Sequence, residues 1–375
     1  MLAIPLKQTG DVDLAKPLKS VISSRRNLTA TDSSSLEALQ SLRANMVTNI
    51  RDKTYTEAAV LNMQNYYDQL GNLELKVPFD QTKIYFKWLD AFDTNHWFGS
   101  NIPYTMSTNL RYEKACVLFN IGALASQIAA GQSLQNDVGM REAVRLLQSA
   151  AGIFSAVSTP PPASPTEQKP TPDLVPDTAA ALAALCLAQA QELVLLKAFR
   201  DNKKAELVAR LARQTETQYA ATAGLLRVEK VTVQWDNSWL PALNSKQALY
   251  SGLAQLCMAR SCKENSNIGE TIARLRLAKE RLAASAGSLV GDLKAEADGW
   301  MGDCEKELQD AIKDNEFIYF AAVPAVEDLA ELAGVAVARP IPLPDPFLSE
   351  IPDLFIGLAA ILDPGTAKKA ECIIS

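Results

Sequence analysis

Apolar positions along most of the chain recur at intervals of three and four. In STNLRYEKACVLFNIGALASQIAAG, residues Leu110, Val117, Leu118, Ile121, Leu124, Ala125 and Ile128 fall on one helical face. Gly131 supplies a stop. The same period predicts helices over 32–50, 55–75, 136–157, 177–199, 201–227, 239–263, 265–290 and 293–316. Most exceed the mean length of a globular helix. AAALAALCLAQAQELVLLKAF is so rich in alanine that its helix has to pack closely against neighbours on several sides. Long paired helices with short connections predict a mainly α, tetratricopeptide-like solenoid, although no clean repeat of about 34 residues is present.

A different period marks a few short stretches. KIYFKWLDAF alternates and is aromatic, as a strand would be, and MLAIPLK and EFIYF are further strand candidates. They predict a small β-sheet near one end of the helical body. STPPPASPTEQKPTPDLVPD reads as an exposed loop between helices, with docking or phosphorylation as the alternative. ARPIPLPDPFLSEIPDLF should be extended and run along the body.

Composition narrows the function classes. The 375 residues are 48% apolar and 21% charged, enough to bury a sizeable core and too mixed in sign for wholesale disorder. The net charge of −6 argues against nucleic acid, whose phosphates favour a basic surplus. No uncharged apolar run approaches the roughly 18 residues that mark a spanning helix, and MLAIPLKQTG lacks the basic and apolar regions of a signal peptide. Six cysteines form no CxxC and read as reduced thiols. The single histidine, His96, has no partner for a metal site or a catalytic triad, and phosphate-loop and dinucleotide fingerprints are absent. These features point away from an enzyme, from metal and from cofactor.

GDVDLAKPL, YYDQL, KWLDAFD, YEKACVLFNIGALASQIAA, LAQAQELVLLKAFRD and DNEFIYF followed by VP stand in the order and rough spacing of the BRO domain family, which this chain resembles over about residues 1–358. The resemblance implies a boomerang-shaped helical domain with a tetratricopeptide-like core and a small sheet. It also implies a non-enzymatic adaptor in endosomal sorting and multivesicular body formation. Its implied partner is the C-terminal amphipathic helix of Snf-seven-type (CHMP) subunits of ESCRT-III. A BRO-fold scaffold with another partner, at the nuclear envelope or in signalling, is the alternative.

The residues of RDNKKAELVARLARQTETQYAATAGLL bear on that partner. Val208, Leu211 or Ala212, Thr215, Tyr219, Thr222 and Leu226 form the core row. Leu207 lies roughly 100° off Val208, on a row that soon turns to glutamine. Two readings stand: Leu207 widens the core stripe, or it is an exposed anchor ringed by Lys203, Lys204, Arg210 and Arg213, suited to an acidic amphipathic helix. The resemblance favours the second, placing Leu207 and Leu211 at the apolar centre of the partner site. It puts Val194 at a neighbouring apolar position and Asp137 with Arg141 as a polar pair at the same groove. Tyr319 matches an exposed, phosphorylatable tyrosine of the family.

The sequence finishes AKKAECIIS. Cys372-Ile373-Ile374-Ser375 has the form of a prenylation box, and terminal Ser favours farnesyl. Residues 359–375 are therefore expected to be a flexible tail carrying a farnesyl lipid on Cys372, with Lys368 and Lys369 as basic support. The expected protein is a cytoplasmic monomer, peripheral on endosomal or other membranes.

Overall fold

Several helix starts are set by a polar side chain placed just ahead of the apolar run. The computed structural model describes residues 1–93, 105–157, 171–228, 233 and 235–362. A short α1 (Ala15–Ser23), absent from the helices expected from sequence, buries Leu18 and Ile22 one turn apart. At α2 (Ala30–Arg51) the Thr29 hydroxyl accepts from the Asp32 amide while Asp32 accepts from the Thr29 amide, closing a capping box. Thr56 caps α3 (Glu57–Glu74), and Asn109 caps α4 (Leu110–Ala130). Then follow α5 (Asp137–Val157), α6 (Pro176–Arg200), α7 (Ala205–Leu226), α8 (Trp239–Glu264), α9 (Ile268–Ala284) and α10 (Gly291–Asp314).

From α4 through α10 each helix packs on the next in sequence, the nearest-neighbour arrangement of a helical solenoid. By length and composition α6 is apolar enough to cross a membrane, but most of its surface is buried inside the fold. Its small side chains, Ala179, Ala181, Ala188 and Ala190 among them, are fully covered, which lets α5 and α7 approach closely.

The sheet among the described residues is smaller than the sequence suggests. KIYFKWLDAF contributes only β1 (Phe86–Trp88), which pairs antiparallel with β2 (Thr105–Ser107) in the register Phe86↔Ser107. MLAIPLK is extended but is no strand. Its backbone is held by side chains from helices: Asn120 accepts from Lys7 N at 2.7 Å and donates to Lys7 O at 3.0 Å. Ser126 accepts from Ile4 N, Gln127 donates to Ile4 O, and Gln189 bonds both Leu2 N and Leu2 O. Helix amides thus satisfy the donors and acceptors that a neighbouring strand would otherwise meet. EFIYF is no strand either; it forms a π turn at the end of α10.

Beyond that turn the proline-rich stretch returns as an extended strap over the whole body. Arg274 of α9 donates to Ala330 O, and Val335 N donates to Arg210 O of α7. Gln191 of α6 bonds Val335, Val337 and Ala338, and Ile341 N donates to Gln148 O of α5. Asp68 of α3 accepts from Phe347 N and Leu348 N, and Ile361 N ends on Lys76 O. Proline removes donors along the strap, so the remaining amides are met one at a time, by side chains of Gln191 and Asp68 and by backbone carbonyls of the body, and not by a ladder.

Three buried charge clusters sit inside this frame. Lys7 meets Asp173 at 2.5 Å with both side chains fully buried. Arg43 meets Glu113 at 2.9 Å, and Glu113 also accepts from Tyr66 and the Trp88 indole. Lys246 meets Glu192 at 2.6 Å, with Tyr219 and Tyr250 donating to the same carboxylate. Burial alone would raise the Glu192 pKa, but Lys246 and the two phenols hold it below the usual carboxylate value.

Candidate functional site

The turn between α6 and α7 builds the site. α6 ends at Arg200 with Asp201 as its cap, and Asn202 takes the left-handed conformation, φ 51°, which asparagine tolerates well. Lys203 N closes back on Ala198 O at 3.1 Å, and Lys204 then leads into α7. This brings Lys203 to the mouth of a groove between α5 and α6 and puts Leu207 in the first turn of α7.

The groove encloses about 270 Å³. Met140 and Val144 of α5 face Leu193, Val194 and Ala198 of α6 across an apolar floor, and Arg141, Lys197, Asp201 and Lys203 form the rim. Of the residues singled out from sequence, Val194, Arg141 and Lys203 therefore line it directly. Lys204 is exposed beside it. Leu207 does not line the cavity but stands on the next helix, 41% exposed, while Val208, Ala212, Thr215, Tyr219 and Thr222 are buried as the core row predicts. The wider-stripe reading of Leu207 is overturned by that exposure.

Leu211, which the resemblance puts at the centre of the partner site, is 3% exposed and so offers little open surface. Lying four residues on from Leu207 and three from Val208, it turns toward the core row. Arg213 is drawn away as well, since it bonds Glu216 at 2.6 Å. Asp137, 67% exposed, does not bridge to Arg141; its Oδ1 accepts from Lys197 Nζ at 2.9 Å. The same Lys197 meets Asp201, so one ammonium ties the start of α5 to the end of α6. Its hydrogen bond and charge hold the Asp137 carboxyl below its usual range. Lys197 escaped the sequence reading. Its only signal was a lysine in the last turn of a helix four residues before an aspartate, and that pattern is common on solvated surfaces.

Among the described residues, Arg141, Lys203 and Lys204 form no salt bridge, although the Arg141 charge also acts on Asp137, and around the apolar floor the cations Arg141, Lys197, Lys203 and Lys204 outnumber the carboxylates Asp137 and Asp201. Such a surface suits an amphipathic helix with acidic flanks. No group of three or more His, Cys, Asp and Glu side chains that could hold a metal occurs among the described residues. The five described cysteines are buried free thiols, and burial pushes Cys257 up to about 12. Tyr319 is 51% exposed at the end of α10, outside the groove. His96, most of the loop 159–176, and Lys368, Lys369 and Cys372 lie outside the described residues.

The model of the BRO1-like domain matches residues 1–361. Programmed cell death 6-interacting protein of Mus musculus is 36% identical over 358 residues, covering 94% of this chain and 40% of its own length. Vacuolar protein-sorting protein bro1 of Aspergillus fumigatus is 32% identical over 351 residues, covering 92% of this chain and 34% of its own. The chain thus spans less than half the length of these relatives. The solved ALIX BRO1 CHMP4C complex superposes with a TM-score of 0.85 at 33% identity, covering 95% of this chain and 99% of the other.

Proposed function

Because this chain belongs to the BRO1-like domain family, we propose that it is a non-enzymatic adaptor that seats the C-terminal helix of a CHMP-type ESCRT-III subunit on its α5–α7 face. One observation carries the reading: an exposed Leu207 stands beside an apolar groove whose rim cations Arg141 and Lys203 form no salt bridge among the described residues. The likeness to the ALIX BRO1 CHMP4C complex supports the choice of partner, and the likeness to a vacuolar protein-sorting protein supports endosomal sorting as the setting. In this reading the partner's apolar residues cover Leu207 and the groove floor over Val194. Its acidic residues meet Arg141, Lys203 and Lys204, while Asp137 keeps Lys197 in place and Leu211 supports α7 from within.

The adaptor is also held on membranes by a farnesyl lipid on Cys372, provided that Ser375 ends the mature chain. One prenyl chain anchors only marginally, at ~0.8 kcal/mol per buried CH₂. Lys368 and Lys369 add about 1 kcal/mol each at an anionic leaflet. ESCRT-III polymer on the same membrane supplies the remaining contact, which makes attachment a coincidence of lipid and protein. Tyr319 is sufficiently exposed to be a kinase substrate.

The test is a titration of the protein with the C-terminal helix of a CHMP-type subunit, wild type beside Leu207→Asp. Micromolar binding, about −8 kcal/mol, that the substitution weakens by at least about 2 kcal/mol is the expected result. A folded wild type that does not bind would overturn the partner assignment and leave a BRO-fold scaffold for another ligand. For the lipid, a Cys372→Ser variant as membrane-associated as wild type would remove the anchor from the proposal.

A further inference from the structure

At the end of α10 the chain exposes four consecutive large apolar residues: Phe317, Ile318, Tyr319 and Phe320, at 73%, 64%, 51% and 75%. Surface apolar residues normally occur singly, and a contiguous run marks an interaction surface. The turn that carries them is built, not frayed. The helix widens into a π turn, Asn315–Tyr319, in which the Phe320 amide donates to the Asn315 carbonyl at 2.8 Å. Phe320 is held in the left-handed region, φ 51°, an unfavourable place for a bulky side chain. The Asn315 side chain then grips Ala321 from both sides, accepting from its N–H at 2.8 Å and donating to its carbonyl at 3.0 Å. Backbone held in sparsely populated regions, and π turns within helices, concentrate at functional positions.

The exposed charges along this stretch are mainly negative. Val326, 49% exposed, sits in the short 3-10 turn Val326–Asp328, which packs on α9 as the π turn does. Glu316, Glu327 and Asp328 are exposed and have no cationic partner among the described residues, and Lys313 is the one exposed cation on this stretch. The groove at α5–α7 has the opposite balance.

We propose that this turn is a second docking surface, for a cationic amphipathic segment of a partner protein. The apolar residues of that segment cover Phe317, Tyr319 and Phe320, and its Lys or Arg side chains pair with Glu316, Glu327 and Asp328. The carboxylates disfavour an anionic lipid surface and equally disfavour an acidic helix. The site is therefore distinct from the groove in place and in charge preference.

The probes are a fluorescent peptide of repeating Lys-Leu-Arg-Phe, its counterpart of repeating Glu-Leu-Glu-Phe, and phosphatidylcholine vesicles with and without phosphatidylserine. Wild type should bind the cationic peptide alone. Phe317→Ser with Phe320→Asn, and separately Glu327→Lys with Asp328→Lys, should each weaken binding by at least about tenfold. Asparagine suits the left-handed position, and Phe317→Ser alone repeats the test without touching it. Leu207→Asp should leave this binding unchanged, which separates the turn from the groove whatever the groove binds. Absence of peptide binding, or equal binding by all variants, overturns the proposal. Vesicle binding lost in Phe317→Ser reassigns the turn to membranes, and a concentration-dependent mass lost in the same variant reassigns it to a second copy of the chain.

Discussion

Gly152 of α5 and Ile341 of the strap touch so closely that a Cβ on Gly152 would lie 1.8 Å from the Ile341 carbonyl oxygen. The neighbouring bond, Ile341 N to Gln148 O at 3.0 Å, fixes the strap at the same point. The absence of one side chain thus lets a segment far along the chain cross the middle of the solenoid.

Gly152→Ala should lift the strap there. The helix itself would favour alanine by up to about 1 kcal/mol, but no backbone accommodates a 1.8 Å contact. Overpacking of this kind costs about 1–3 kcal/mol. Urea unfolding should show that net loss, and hydrogen exchange should show faster exchange at the Ile341 amide. Unchanged exchange there would mean that the crossing is not maintained in solution.

Leu207 and Leu211, one turn apart on α7, should respond oppositely. Leu207→Ala should leave stability within about 0.5 kcal/mol, as surface substitutions do, and weaken helix binding. Leu211→Ala should cost about 2–5 kcal/mol, as buried leucines do. A thermal melt of both variants beside the binding titration separates the two roles.

Glu192 should make the fold acid-sensitive. Despite desolvation, Lys246, Tyr219 and Tyr250 depress its pKa in the folded state, whereas the unfolded chain has the ordinary value of about 4.3. A depressed folded value contributes stability that is complete above the ordinary value and lost as pH falls through the folded one. Unfolding free energy should therefore decline below about pH 4.3. In Glu192→Gln that part of the slope should vanish, and stability at pH 7 should fall by about 3–5 kcal/mol because Lys246 stays buried without its counter-charge.

Arg141 and Lys203 should act chiefly on association. If an acidic helix is the ligand, its affinity should fall as salt shortens the Debye length from about 10 Å at 0.1 M to about 3 Å at 1 M. Arg141→Gln should flatten that dependence and slow the association rate more than it speeds dissociation. Stopped-flow measurements across salt concentrations read both.

The sequence alone determined the helical body, the core row of α7 and the extended course of the proline-rich strap. Each is written in local chemistry. A period of three or four needs only one helical turn to express itself, and proline restricts its own backbone wherever it stands. What surrounds an element is not local, and there the tertiary structure decided. MLAIPLK alternates like a strand, but Asn120, Gln127 and Gln189 reach it first. EFIYF has strand-forming residues, yet Asn315 closes it into a turn. Leu207 and Leu211 share a helix row, and the packing of neighbouring helices covers one and leaves the other open. Lys197 reads as an ordinary surface lysine until α5 brings Asp137 within 2.9 Å. Burial and charge partnership depend on residues distant in sequence, so the chain specified its helices one turn at a time, while its binding face emerged only when α5, α6 and α7 met.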